Sequence, residues 1–344
     1  GANTLSIEGA GTLSNSSDSA LVLDEADSIL DLTGSGTVSG PVKLESGTLK
    51  SSGSPTISGA ITQSADATIE VSTDQTLTYS GASLSLGANT LTMSGGGTFY
   101  NSDNLTLSAE SILKLDGIVK VEKVYVSENL TDGYVDVDQD ATIETFLPHF
   151  SSSIDIAEDK SLTLTDAFEV LEDQTMELKG TGGGTLNVGD NMTISGSLKL
   201  NAPDDTIDGG TLSFNNGSID LDQSATISSE IFLADNASMD IASDKQLDVS
   251  QSFEIPENLK LEMDGTGGGI LSIDDNDTLT IIGVLLFSGQ DYSLRNGTLE
   301  LSEGGLLDVD NNTTIASNII ISGNSSIDVA QNIILTYTGD SIDI

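Results

Sequence analysis

Three stretches place carboxylates at a spacing that could hold a cation: Asp136-Val137-Asp138, Asp220-Leu221-Asp222 and Asp308-Val309-Asp310, each followed by a Thr-Ile pair. If the central apolar residue points into a core, a strand sends both aspartates outward on one face. Calcium wants six to eight oxygens, and each stretch alone offers about three or four. The corresponding stretch near the start, Lys50-Ser51-Ser52-Gly53, has no acid, and the chain lacks the GGxGxD nonapeptide of calcium-loaded solenoids. The pairs therefore read as a solvated acidic face that bridges divalent cations loosely. No closed metal site and no cofactor are expected.

Catalysis finds little to work with. General acid–base or metal-assisted chemistry needs clustered carboxylates, or a basic side chain beside a metal. The only histidine is His149, in a turn between Phe146 and Phe150, and the only arginine is Arg295. The densest acidic knot, Asp274, Asp275 and Asp277, is ordinary corner chemistry. An enzyme is not expected. Eleven Asn-x-Ser/Thr sequons begin at Asn15, Asn104, Asn129, Asn191, Asn216, Asn236, Asn276, Asn296, Asn311, Asn312 and Asn324. They are candidate glycosylation sites of a surface protein, or else the asparagines that tight corners prefer.

The charge balance excludes whole classes of partner. Eleven Lys and Arg stand against 54 Asp and Glu, a net charge of -43. Nucleic acid or an anionic membrane bound through a basic patch is ruled out. No apolar run reaches the roughly 18 residues of a membrane span. The chain has no cysteine, which fits either redox compartment.

What positions these residues is a repeat. Thr68-Ile-Glu-Val-Ser-Thr-Asp-Gln returns as Ser153-Ile-Asp-Ile-Ala-Glu-Asp-Lys, Ser238-Met-Asp-Ile-Ala-Ser-Asp-Lys and Ser326-Ile-Asp-Val-Ala-Gln-Asn-Ile, at spacings of 85, 85 and 88 residues. Gly11-Thr12, Gly97-Thr98, Gly184-Thr185 and Gly269-Ile270 keep the same beat. Four superrepeats of about 86 residues follow, roughly 1–86, 87–172, 173–258 and 259–344. The last residues, LTYTGDSIDI, run in phase into the first, GANTL, as LTYSGASLSL runs into Gly87-Ala-Asn-Thr-Leu. One continuous segment without caps is the expectation, and uncapped edges invite pairing.

Within a superrepeat, apolar and polar residues alternate in short bursts separated by Gly, Asn, Asp and Ser, the pattern of strands. The first superrepeat predicts strands at 4–7, 12–14, 20–23, 28–32, 42–44, 48–50, 55–58, 60–63, 68–71, 76–79 and 83–86. Three strands to a turn gives about 21 or 22 residues per turn, and so about sixteen turns. Asp166 to Lys179 looks locally helical, but its counterpart one superrepeat on carries Pro256. A proline inside a helix costs about 3 kcal/mol, so both read as strand. Ile69/Val71, Ile154/Ile156, Met239/Ile241 and Ile327/Val329 should point inward, with Glu70, Asp155, Asp240 and Asp328 outward.

Rungs of this length, this composition and the longer superrepeat resemble the large repetitive β-helical surface proteins of microbes, the autotransporter passengers and filamentous-haemagglutinin-like adhesins. The resemblance spans the whole chain and implies an all-β, right-handed parallel β-solenoid located outside the cell or on its surface. It further implies a structural segment of a long fibre or sheath, stacking end to end with copies of itself, in a covalent tandem or a head-to-tail polymer. Divalent cations would link neighbouring fibres, with no nucleic acid and no membrane insertion. The alternative it carries is an adhesin binding glycan or protein on a side face, marked by an aromatic patch; Phe146/Phe150 and Phe99/Tyr100 are the near-adjacent aromatic pairs.

Overall fold

The computed structural model describes residues 3–16, 19–129, 132–265 and 267–344. Gly1, at the expected seam, lies outside them. The described residues form an all-β parallel solenoid of about 15 turns, with no helix. They divide into two compact units, one ending at Phe168 and the other beginning at Glu169.

The first unit stacks Thr4–Ile7, Ile29–Leu32, Thr48–Ser51, Ala67–Val71, Thr90–Gly95, Ile112–Gly117, Tyr134–Val137 and Ser152–Ile156 into one parallel face. Its inward side chains line up one above another: Leu30, Leu49, Ile69, Met93, Leu115, Val137 and Ile156 are successive partners. All seven are buried, and each such side chain removed from water contributes about 1.5–3 kcal/mol. Two longer strands, Lys120–Val126 and Ala141–Pro148, run through a corner and serve two faces. At that corner the strict alternation slips by one residue, at Glu122-Lys123 and Glu144-Thr145.

The second unit repeats the plan. Met176, Leu198, Ile219, Met239, Met263, Phe287, Val309 and Val329 form its inward column, on strands from Thr175–Lys179 to Ser326–Val329. The third face of this unit is interrupted. Asn191–Ile194, Thr211–Phe214 and Glu230–Leu233 belong to one sheet, whereas Phe253–Ile255, Thr278–Ile281, Thr298–Leu301, Asn318–Ile321 and Ile342–Asp343 form another.

The corners explain the composition. Asp74, Asp159, Asp244 and Asn332 occupy the same place in the four superrepeats, and all are left-handed, with φ between 59° and 68°. Only Gly, and then Asn and Asp, adopt that conformation readily. Elsewhere the corner must be empty: a Cβ on Gly59 would lie 1.9 Å from the carbonyl oxygen of Gly40 in the turn below.

The inward residues expected from the sequence are where the alternation puts them. Ile69, Val71, Ile154, Ile156, Met239 and Ile241 are buried, and Glu70, Asp155 and Asp240 lie on the half-exposed outer surface. Ile327 and Val329 follow the same register, beside Leu307 and Val309, and are 37% and 39% exposed. The segment 166–179 is not helical: it holds two strands, Phe168–Val170 and Thr175–Lys179, joined by a turn in which Asp173 is left-handed, with Phe168 and Val170 inward, as are Phe253 and Ile255.

Candidate functional site

The three Asp-x-Asp pairs sit at equivalent positions on the outer side of their strands, the first in the first unit and the other two in the second, since Val137, Leu221 and Val309 between them point in. In each case the next rung adds another acid directly alongside: Asp155 beside Asp136, Asp240 beside Asp220, and Asp328 beside Asp308.

The preceding rung treats the three differently. Lys114 stands in register with Asp136, and its Nζ lies 3.3 Å from Asp136 Oδ2 and in hydrogen-bond contact with Asp138. Lys199 stands beside Asp220, its Nζ 3.4 Å from Asp220 and 2.7 Å from Asp222. Leu286 takes that place beside Asp308. An ammonium therefore already bridges two of the pairs, and among the described residues the third has none.

The electrostatics follow. Hydrogen bonds to Asp138 and Asp222, respectively, push Lys114 and Lys199 upward. Asp308 is raised, first by partial burial and then by the negative charges of Asp310 and Asp328. Asp136 and Asp240 are also raised, mainly by burial, against the opposing pull of their lysines. Among the described residues no group of three or more His, Cys, Asp or Glu is arranged to hold a metal ion.

Corner chemistry occupies many sequon asparagines. Asn216 and Asn296 are left-handed turn residues. The amide of Asn15 donates to the carbonyls of Ser19 and Pro41, and that of Asn311 to the carbonyl of Ser288. Asn129, Asn236 and Asn312 accept backbone N–H groups of Ser151, Lys260 and Ile334. Asn104 and Asn191 are half-buried, whereas Asn276 and Asn324 are exposed. The sequons of Asn15 and Asn129 run into residues outside the described set. His149 lies edge-on to Tyr125, with ring centroids 5.3 Å apart. The amide of Asp277 closes a turn onto the carbonyl of Asp274, and its carboxylate accepts the Ser252 hydroxyl.

Of the aromatic pairs, Phe99 and Phe146 are core residues, and only Tyr100 and Phe150 reach the surface. The most exposed aromatic on a side face is instead Phe232, between inward Ile231 and Leu233. It borders a groove of about 410 Å³ where the third face of the second unit is interrupted. Strict alternation through Glu-Ile-Phe-Leu was the available signal, because it leaves the phenyl ring no inward place.

Compared with known protein families, curated proteins and solved structures, the chain matches none of them. Architecture alone speaks. The fold is that of β-helical repeat proteins in general.

Proposed function

We propose that this chain is a structural segment of a long extracellular fibre or sheath of the autotransporter-passenger and filamentous-haemagglutinin-like kind, extended by further rungs of the same repeat. The observation that carries the reading is the sameness of the rungs. Each presents inward aliphatic columns and unpaired backbone to the next, so the upper side of any rung suits the lower side of any other. The outermost described rungs keep the same columns, Leu5 in register with buried Leu30, and Ile327 and Val329 with buried Leu307 and Val309, so a rung has the same edge wherever it falls in the stack. Such an edge pairs with whatever strand is offered. Either continuing chain or a second copy satisfies it. The outward acids keep neighbouring rods apart, and loosely held divalent cations would draw them together.

The test is association of the isolated segment. Sedimentation and negative-stain microscopy at rising concentration, in moderate salt, should reveal end-to-end oligomers. Ile327→Lys, which puts a charge on the open column, should abolish them. A segment that stays monomeric at all concentrations would refute the reading.

A further inference from the structure

We propose that the groove beside Phe232 binds a cationic side chain, an arginine or lysine of a basic partner polypeptide. The inference concerns a side face and is independent of end-to-end stacking.

The groove exists because the ladder is broken. Glu230–Leu233 and Phe253–Ile255 are consecutive on this face yet belong to different sheets, so their outward side chains flank a cleft rather than a closed surface. Its volume of about 410 Å³ falls in the range of ligand-binding clefts, about 300–1,000 Å³. Phe232, 51% exposed, offers a ring to one side. Glu230 and Glu254 are both exposed and line the same cleft. Pro256 and the strand bearing Thr278 and Thr280 complete the wall, with Thr280 in register with Glu254.

These groups select for positive charge. A phenyl face carries the negative part of the ring quadrupole and attracts ammonium and guanidinium groups. Two carboxylates beside it accept charge-assisted hydrogen bonds, which a guanidinium can donate in pairs. No lysine or arginine lines the cleft, and neither Glu230 nor Glu254 is in an ion pair among the described residues. The chain, at net charge -43, steers cations toward every face; the ring makes this place selective. The equivalent positions 85 residues earlier hold Thr145 and Leu147, so the combination belongs to this one turn and not to the repeat.

The experiment titrates the whole segment with Nα-acetyl-arginine amide, a single-charge probe, and follows backbone amide shifts. Saturable shifts clustered at Phe232, Glu254 and Thr280 are expected, and the neutral citrulline analogue should give none. Phe232→Leu should weaken binding by about two- to fivefold, the range of an exposed cation–π contact. Glu254→Gln should also weaken it, with amide shifts outside the groove unchanged as the check on folding. Three outcomes would overturn the proposal: shifts spread without saturation over all acidic surfaces, unaltered affinity in Phe232→Leu, or groove shifts from cellobiose where the arginine probe gives none.

Discussion

Leu286 stands in register with Asp308, where Lys114 faces Asp136 and Lys199 faces Asp220. The carboxylates of Asp308, Asp310 and Asp328 consequently repel one another without the ammonium that relieves the other two sites. Leu286→Lys should therefore stabilise the second unit by about 0.5–1 kcal/mol, the upper part of the range for half-exposed ion pairs. Lys199→Leu should destabilise it similarly. Melting curves at 10 and 500 mM NaCl check the cause: salt should raise the melting temperature of the parent chain more than that of Leu286→Lys.

Acidity tests the same charges. Asp136, Asp240 and Asp308 have folded-state values raised above the ordinary carboxylate value of 3.8. A group raised in this way binds more protons folded than unfolded, so stability grows as pH falls through the raised value and gains nothing more below 3.8. Glu262, lowered by its hydrogen bond from Lys260, works in the opposite sense. Its contribution fades only as pH falls below its ordinary value of 4.5. The melting temperature should rise on acidification from neutrality toward the carboxylate range. Asp308→Asn should start higher at neutral pH and show a shallower rise; a flat profile in the parent would contradict this.

Tyr292 is completely buried. Its hydroxyl accepts hydrogen bonds from the amides of Ile241, at 3.0 Å, and Gly265, at 2.9 Å. Tyr292→Phe leaves both donors unpaired, at about 1–3 kcal/mol each. Hydrogen exchange should quicken at Ile241 and Gly265 before it does elsewhere.

The left-handed corners should discriminate by backbone and not by contact. Asp244 is exposed, with φ 61°. Asp244→Val should cost about 1–2 kcal/mol and Asp244→Gly much less, as read by denaturant unfolding.

Ile154 and Asp155 are neighbours with opposite fates. Ile154 is wholly buried in the first unit, so Ile154→Asp buries an unpaired charge and should prevent stable folding of that unit. Asp155→Asn, outward beside Asp136, should be neutral or mildly stabilising. Circular dichroism and thermal melts separate the two.

The fold was legible because alternation repeats so often. Of the strands in the first superrepeat, only Thr37–Val38 escaped the reading, hidden within Gly-Ser-Gly-Thr-Val-Ser-Gly, where a single valine is the sole inward residue. The Asp-x-Asp pairs were legible as a set, but their lysines were not. Lys114 and Asp136 are separated by a full turn, and register cannot be counted when turns differ in length. Phe232 was missed for a related reason: only the interrupted third face turns an outward ring into the wall of a groove.

That variation in length has a genetic consequence. Equivalent positions are 19 residues apart between Ile29 and Thr48, but 24 between Ala237 and Leu261, and the corners absorb the difference. Unequal recombination that adds or drops a whole turn joins one column to another of the same kind and leaves a foldable product. A one-residue slip within a strand instead turns its aliphatic side chains to water. Such a gene can lengthen or shorten by turns while remaining intolerant of small frame-preserving indels inside its strands.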